Sequence, residues 1–210
     1  MTLRWATACV VALAAAVLAL LLALDVGRWQ AAFARGDVRF KATPTRTDLW
    51  QTDELIPFHA ARSLLGVDDD ILYRQTLRDF WLARPYANTL TTLTAPNLDA
   101  LRSEAIVSLA NYVRVPQQAE RKGQAANLLG VMGLGLAATD DPGQRLRFLL
   151  YSSNAFRGAI TADPNNEDAK FNLELTLRLL QRQPTRNGGG STHGPGRASG
   201  AALAKPGSGY

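Results

Sequence analysis

An uninterrupted apolar run near the N-terminus constrains this chain more than any other feature. The twenty residues from Trp5 to Leu24 contain no charged side chain, and Arg4 and Asp25 bound the run. A helix rises about 1.5 Å per residue, so the run spans about 30 Å, the thickness of a bilayer's hydrocarbon core. A helix also satisfies its own backbone hydrogen bonds inside lipid. The run therefore predicts an N-terminal transmembrane helix, with residues 1–27 as the anchor and residues 5–24 in contact with lipid.

A cleaved signal peptide is the alternative interpretation of the same run. Its apolar region usually has about 7–15 residues and ends in a small-x-small motif. The run here is longer, and residues 20–24 read LLLAL, which places bulky side chains where small ones are needed. Trp29 follows closely, and an indole favours the headgroup layer of a membrane. We therefore expect an uncleaved, single-pass anchor in the cell membrane.

The charges that flank the run bear on the side of the membrane that the rest of the chain occupies. Arg4 precedes the run, whereas the opposite flank carries four cations, Arg28, Arg35, Arg39 and Lys41. Under the positive-inside rule this difference favours a cytoplasmic location for the C-terminal part. An N-terminal anchor needs few charges to keep its short end inside, so the opposite orientation stays open.

The part of the chain beyond the anchor is large enough to fold but lacks the residues of common metal sites. Residues 28–183 suffice for one domain with its own core. Cys9, the single cysteine, lies inside the apolar run, so no disulfide can form within the chain. Two histidines and no second thiol leave no zinc constellation. We expect neither a metal nor a cofactor.

The formal net charge of +5 comes from the end of the chain. No acidic residue follows Glu174, and five cations do, namely Arg178, Arg182, Arg186, Arg197 and Lys205. Residues 184–210 are rich in Gly, Ser, Ala and Pro, a composition that buries too little apolar surface to offset the entropy of ordering. We expect a disordered, Gly-rich basic tail. Because Tyr210 is the only aromatic residue among these cations, we do not expect nucleic-acid binding.

Helical patterns separated by Pro and Asp dominate residues 28–183, and no sustained period-two alternation indicates a strand. The predicted helices are a continuation of the anchor or a short juxtamembrane helix at 29–39, a short helix at 58–65, and longer ones at 68–84, 97–114, 116–139, 142–162 and 167–183. The acidic triplet Asp68-Asp69-Asp70 fits the first turn of a helix, where carboxylates favour the helix dipole. A calcium loop would need further oxygen ligands and a glycine that the following residues do not supply.

Residues 125–180 share the pattern of a known helical repeat. Its markers, in order, are LLG at 128–130, Ser152, Phe156, Ala159, Asp163-Pro164 and AKFNL at 169–173. Small residues at Ser152 and Ala159 allow neighbouring helices to approach, and Phe156 fills the space between them. The stretch resembles a tetratricopeptide repeat, a helical hairpin followed by the first helix of the next unit. About ten extra residues between Gly130 and Ser152, and Gly133 in place of the usual tyrosine, predict an irregular hairpin with an enlarged turn at 140–144.

The same four letters, LLGV, occur at 64–67 and at 128–131. The match is either a coincidence among common helix formers or the trace of a degenerate hairpin in residues 28–115, and both interpretations stay open. The predicted fold is all-α, an N-terminal transmembrane helix followed by an irregular tetratricopeptide-like antiparallel helical stack (α-solenoid). Its parts are the anchor at 1–27, a helical region at 28–115, the tetratricopeptide-like hairpin with its following helix at 116–183, and the tail at 184–210.

The whole architecture, with NLEL at 172–175 in the last helix, resembles a wider group of proteins. These are membrane-anchored tetratricopeptide proteins of bacteria found beside MoxR-type AAA+ ATPases and von Willebrand A-domain proteins. The resemblance implies an accessory role in the assembly of cell-envelope complexes, with von Willebrand A-domain or MoxR-associated membrane proteins as partners. It also implies an extracytoplasmic domain, in contrast to the count of flanking cations.

We find no catalytic constellation in the sequence, and we do not expect an enzyme. A Ser–His–Asp site would have to use His59, which we expect to be an ordinary packed or surface histidine. Gly130, Gly133 and Gly135 follow a helical pattern and lack the Lys-Ser/Thr of a phosphate loop, so close helix packing explains them better. A cryptic hydrolase that relies on His59 is the alternative.

The leading hypothesis is a non-catalytic, membrane-anchored scaffold for protein–protein interaction. Tetratricopeptide-like stacks bind partner segments in a groove, and the candidate groove residues of this chain are Asn127, Asn154, Arg157 and Asn172. A further alternative is a structural component of the envelope whose basic tail contacts anionic lipid or cell-wall polymer.

Overall fold

The computed structural model describes residues 2–55, 60–84, 95–116 and 118–183. Every regular element in this part of the chain is an α-helix, as the sequence predicts. The helices are α1 (Thr2–Ala42), α2 (Ala60–Leu64), α3 (Val67–Ala83), α4 (Ala95–Arg114), α5 (Ala119–Leu136), α6 (Pro142–Ala162) and α7 (Glu167–Gln181). The tail at 184–210 lies outside the described residues.

α1 is a single helix of 41 residues that continues without a break from the apolar run to Ala42. Its most apolar 18-residue window has a mean hydropathy of 2.8, and none of that window is buried by the rest of the chain. Within the described residues it is the one helix long and apolar enough to cross a membrane. The continuation at 29–39 is therefore part of α1, which ends at Ala42, just before Thr43-Pro44.

Residues 43–55, the return segment, run back along α1 toward the apolar run. Leu49 and Trp50 are buried against Gly36, where a Cβ atom would overlap the Leu49 carbonyl oxygen and the Trp50 ring. The Trp50 indole N–H donates to Asp37 Oδ1 at 2.9 Å. The Leu55 amide donates to Asp25 Oδ1 at 2.8 Å, so the segment ends level with the end of the apolar run.

Trp29 lies in a small core and not in the headgroup layer, so the expectation for this residue is wrong. It is 2% exposed and packs with Ala61 and Val67, while Leu22 and Val26 of α1 lie against the same cluster. Spacing from the apolar run suggested an interfacial indole, but α2 and α3 cover this side of α1. The folded domain therefore begins directly at the end of the apolar run.

The LLGV motif at 64–67 and its copy at 128–131 have different structures. Gly66 ends α2 in the left-handed conformation, with φ of 69°, and Val67 opens α3. Gly130 lies in the middle of α5, which is straight through this motif. The structure therefore gives no support to an upstream copy of the hairpin.

α3, α4 and α5 share the main hydrophobic core. Ala83, Ala105, Leu109 and Tyr112 are at most 1% exposed, and Met132 of α5 closes the cluster. The helix predicted at 97–114 is thus present as α4, although it begins at Ala95 and not at Asn97. Asp68-Asp69-Asp70 lies in the first turn of α3, as predicted.

α5 and α6 pack closely against each other. A Cβ atom at Gly130 would overlap the ring of Phe156, and one at Gly133 would overlap the Ser152 hydroxyl. Ser152, Phe156 and Ala159 are fully buried, which confirms the roles predicted from their sizes. Helix packing, not phosphate binding, therefore explains Gly130 and Gly133.

The ends of these helices follow their capping residues. Asp141 caps α6 by accepting from the Gly143 and Gln144 amides at 2.8 and 3.2 Å, and Pro142 takes the first helical position. The enlarged turn between α5 and α6 spans residues 137–141, slightly before the predicted position. α5 begins at Ala119, so Pro116 lies before the helix and not in its first turn.

Candidate partner-binding face

The structure brings two of the four predicted groove residues together. The Asn172 side-chain amide of α7 donates to Asn127 Oδ1 of α5 at 3.0 Å. Asn127 is buried and Asn172 half-buried, so the pair ties α7 to α5 at the base of a shallow groove. Asn154 and Arg157 of α6 are exposed. Asn154 lies about 200° around α6 from Phe156, which faces α5, so it points away from the Asn127–Asn172 pair.

Helical spacing extends the Asn127–Asn172 pair into a continuous surface, which we call the α5/α7 face. At intervals of three or four residues, the side chains share one side of each helix. The face comprises Glu120, Gln124, Asn127 and Val131 of α5, and Asp168, Asn172 and Leu175 of α7. Leu175 is 41% exposed, so the end of the face away from Asp168 has an apolar surface.

A polar cleft of about 330 Å³ occupies the other end of the α5/α7 face. It lies between α5 and the turn that joins α6 to α7. Its lining includes four carboxylates and no cation, the carboxylates being Glu120, Asp163, Glu167 and Asp168. Lys170 lies outside this lining and pairs with Glu167 at 2.7 Å. The cleft therefore carries a negative charge that suits a cationic ligand.

Local backbone chemistry fixes the walls of this cleft. Gly123 lets the turn approach α5, since a Cβ atom there would lie 2.7 Å from Asp163 Cβ. Asp163 Oδ1 accepts from the Asn165 amide at 3.0 Å. Asn166 caps α7 by accepting from the Ala169 amide at 2.9 Å. The turn that the Asp-Pro-Asn-Asn sequence predicts is thus also the rim of the cleft.

A network of polar residues connects the cleft to α3 and α4. Asp69 accepts from the Tyr112 hydroxyl at 2.9 Å and pairs with Arg121 at 2.8 Å, while Asp70 also pairs with Arg121. The Tyr73 hydroxyl donates to Gln124 Oε1 on the α5/α7 face. Burial, and then the hydrogen bond to Asp69, raise the pKa of Tyr112 well above its usual range. The acidic triplet therefore joins three helices, besides starting α3.

Sequence reasoning found no partner for the acidic triplet because no local signal exists for it. Arg121 follows Asp69 by 52 positions, and neither residue belongs to a recognisable motif. The carboxylates of the cleft, by contrast, lie within or beside the predicted turn at 163–166, so their proximity could have been inferred from that turn.

The described residues hold no group of three or more His, Cys, Asp and Glu side chains arranged to bind a metal ion. His59, on which the alternative hydrolase depends, lies outside the described residues.

No protein family, no curated protein and no solved structure matches this chain.

Proposed function

We propose that this protein is a non-catalytic scaffold, anchored in a membrane by α1, that binds a protein partner on the α5/α7 face. The observation that carries the proposal is the composition of this face. Four carboxylates line the cleft at one end, and Leu175 is exposed at the other. A groove that offers charge and apolar surface side by side suits an extended or helical segment of another protein.

The order of helices supports the same proposal. α7 packs against both α5 and α6, as the first helix of a following unit does in a tetratricopeptide stack. In such a stack α5 and α7 would line the concave side, while Asn154 and Arg157 would lie on the convex side. We therefore retain Asn127 and Asn172 as groove residues.

The chemistry of the face defines the partner. A cationic segment followed by an apolar side chain would place its charges in the cleft and its apolar group against Leu175. We propose a von Willebrand A-domain or MoxR-associated membrane protein as the bearer of this segment, because of the resemblance described above. The role in the cell would then be assembly of an envelope complex.

Photo-crosslinking from the full chain in its native membranes tests this proposal. A benzophenone side chain at Leu175 should capture a defined protein, whereas one at Asn154, equally helical and exposed, should not. The double variant Glu120→Gln, Asp168→Asn should lower the yield from Leu175 severalfold, since it removes two charges of the face. Asp140→Asn, an exposed carboxylate in the turn between α5 and α6, is the matched control and should leave the yield unchanged.

Equal capture at positions 154 and 175, or no capture at either, would contradict the proposal. So would a yield that is unaffected by the loss of the two carboxylates.

A further inference from the structure

A row of arginines follows the apolar run on one side of α1. Arg28, Arg35 and Arg39 are spaced by seven and four residues, so they share one side of the helix. All three side chains are exposed, and none has an ion pair with another described residue. These three side chains line a groove along α1.

The return segment forms the second wall of this groove. Two adjoining clefts lie between α1 and residues 48–53. The lower cleft, of about 560 Å³, begins at the apolar run, and the upper cleft, of about 310 Å³, lies farther along α1 and includes Arg39. They share the side chains of Ala32, Arg35, Gln51 and Asp53. Asp48 lines the upper cleft, where it pairs with Arg46 at 2.5 Å and also interacts electrostatically with Arg39. Two carboxylates, Asp48 and Asp53, therefore stand against the three arginines of the row and Arg46. The groove is therefore cationic.

The lower cleft is continuous with the apolar run. Its lining begins at Ala23 and Leu24, the last residues of that run, and passes through Gly27 to Arg28. A helix rises about 1.5 Å per residue, so Arg28 lies roughly 6 Å beyond Leu24, within a headgroup layer roughly 5–8 Å thick. Arg35 lies roughly 16 Å beyond Leu24, and because side chains of a helix slant toward its N-terminus, its guanidinium is directed back toward the outer edge of the same layer.

Gly27 has no packing role that the described residues reveal. A Cβ atom built on it would have no neighbour within 4 Å, in contrast to Gly36, Gly123 and Gly130. A glycine inside a helix is unfavourable relative to alanine, and here its effect is to keep the floor of the lower cleft open.

We propose that the lower cleft binds the headgroup of an anionic phospholipid. Arg28 contacts the phosphate, Arg35 contacts the outer part of the headgroup, and the acyl chains lie along the apolar run below Ala23. Guanidinium groups suit phosphate oxygens because they donate two parallel hydrogen bonds. The inference rests on the anchoring of α1 in a membrane, but it does not depend on the partner-binding face.

Spin-labelled lipids in vesicles that contain the full chain test the proposal. Traces of labelled phosphatidylglycerol or phosphatidylcholine are added to phosphatidylcholine vesicles, and the protein-bound fraction is measured by electron paramagnetic resonance. We expect phosphatidylglycerol to be preferred by about fivefold or more, since one cation near a membrane surface contributes about that factor. Arg28→Gln with Arg35→Gln should reduce the preference to nearly one.

Two further variants separate a site from general attraction. Lys41→Gln removes an exposed cation of α1 that lies outside the clefts, and the preference should stay within twofold of the parent. Gly27→Leu fills the cleft without removing charge and should also abolish the preference. Inorganic phosphate at millimolar concentration should not compete, because the acyl chains hold the lipid in place.

Three results would overturn the proposal. The first is an equal loss of the phosphatidylglycerol preference in Lys41→Gln and in the double arginine variant. The second is an unchanged preference in Gly27→Leu, and the third is displacement of the bound lipid by free phosphate. Extraction of each variant with alkaline carbonate reports separately on anchoring. If the protein stays in the membrane but shows no lipid preference, lipid binding in the lower cleft is contradicted. The scaffold function is then still decided by the crosslinking experiment.

Discussion

At the scale of single residues, the glycines of α5 allow a direct test of how α5 and α6 meet. A methyl group at Gly130 would overlap the Phe156 ring, which is fully buried. Gly130→Ala should therefore lower the free energy of unfolding by about 1–3 kcal/mol, as overpacked cores do. The measurement is urea unfolding of the full chain in detergent, followed by circular dichroism.

Gly158→Ala is the matched control for Gly130→Ala. Gly158 is exposed in α6, and a Cβ atom there would meet nothing within 4 Å. The variant should raise the free energy of unfolding by about 0.5–1 kcal/mol, because alanine restricts the unfolded chain. Equal effects at the two positions would contradict the close packing of α5 on α6.

Tyr112 predicts a pH dependence of stability at the same scale. Its pKa is raised in the fold by burial and by the hydrogen bond to Asp69, so the native state holds the phenol proton more tightly than the unfolded state. This contribution is complete below the unfolded pKa of about 10 and is lost as the pH rises above it, by at most about 1.4 kcal/mol per pH unit.

Tyr112→Phe tests that dependence. At pH 7 the variant should be less stable by about 1 kcal/mol, the usual value of one hydrogen bond. Between pH 10 and pH 11 its stability should fall less steeply than that of the parent, because Tyr73 and Tyr151 are then the phenols with raised pKa values that remain among the described residues. Parallel curves in urea unfolding at these pH values would show that Tyr112 titrates alike in both states.

At the scale of elements, the start of α7 depends on one side chain. Asn166 accepts from the Ala169 amide, so Asn166→Ala should lower the free energy of unfolding by about 1 kcal/mol. The neighbouring Asn165 contributes only its backbone amide, to Asp163, and Asn165→Ala should have little effect. Circular dichroism during urea unfolding compares the two. A larger effect at position 165 would contradict the assignment of the cap to Asn166.

Helices with local signals could be predicted from the sequence, and contacts without them could not. α6 was predicted within a residue because Asp141-Pro142 and Asp163-Pro164 mark its ends by backbone chemistry alone. The return segment, Trp29 and the Asp69–Arg121 pair were missed for a common reason. Each depends on contacts between residues far apart in the sequence, from 14 positions for Gly36 and Trp50 to 52 for Asp69 and Arg121. Contacts of this kind leave no periodic pattern in the sequence.

The candidate site shows the same division. Asn127 and Asn172 could be placed on one groove because their helices were predicted correctly, and the structure joins them at 3.0 Å. Asn154 and Arg157 were assigned to the same groove, but α6 turns Asn154 about 200° away from Phe156 and leaves Arg157 exposed. The direction of a polar side chain depends on which face of its helix is buried, and the small residues Ser152 and Ala159 mark that face in the sequence.

At the scale of the whole molecule, the return segment couples the apolar run to the folded domain. Trp50 packs on Gly36, and its indole binds Asp37, which in turn pairs with Arg74 of α3 at 2.5 Å. Arg78 of α3 donates to the Pro44 carbonyl at 3.0 Å. These contacts hold α1, the return segment and α3 together, so that a force on α1 is transmitted to the domain.

Trp50→Ala should loosen this coupling without unfolding the helical stack, because the contacts described for Trp50 are with Gly36, Asp37 and Phe40 of α1. Trypsin added to the full chain in detergent should then cleave after Arg46 at least tenfold faster, since loss of a buried tryptophan costs about 3–5 kcal/mol and opens the segment locally. Circular dichroism should change little. Trp5→Ala, which removes an exposed tryptophan from the other end of α1, should leave the cleavage rate unchanged. If cleavage at Arg46 is equally fast in the parent, the return segment does not hold α1 and α3 together in solution. If the variant loses its helicity, the return segment stabilises all the helices and not only the contact between α1 and α3.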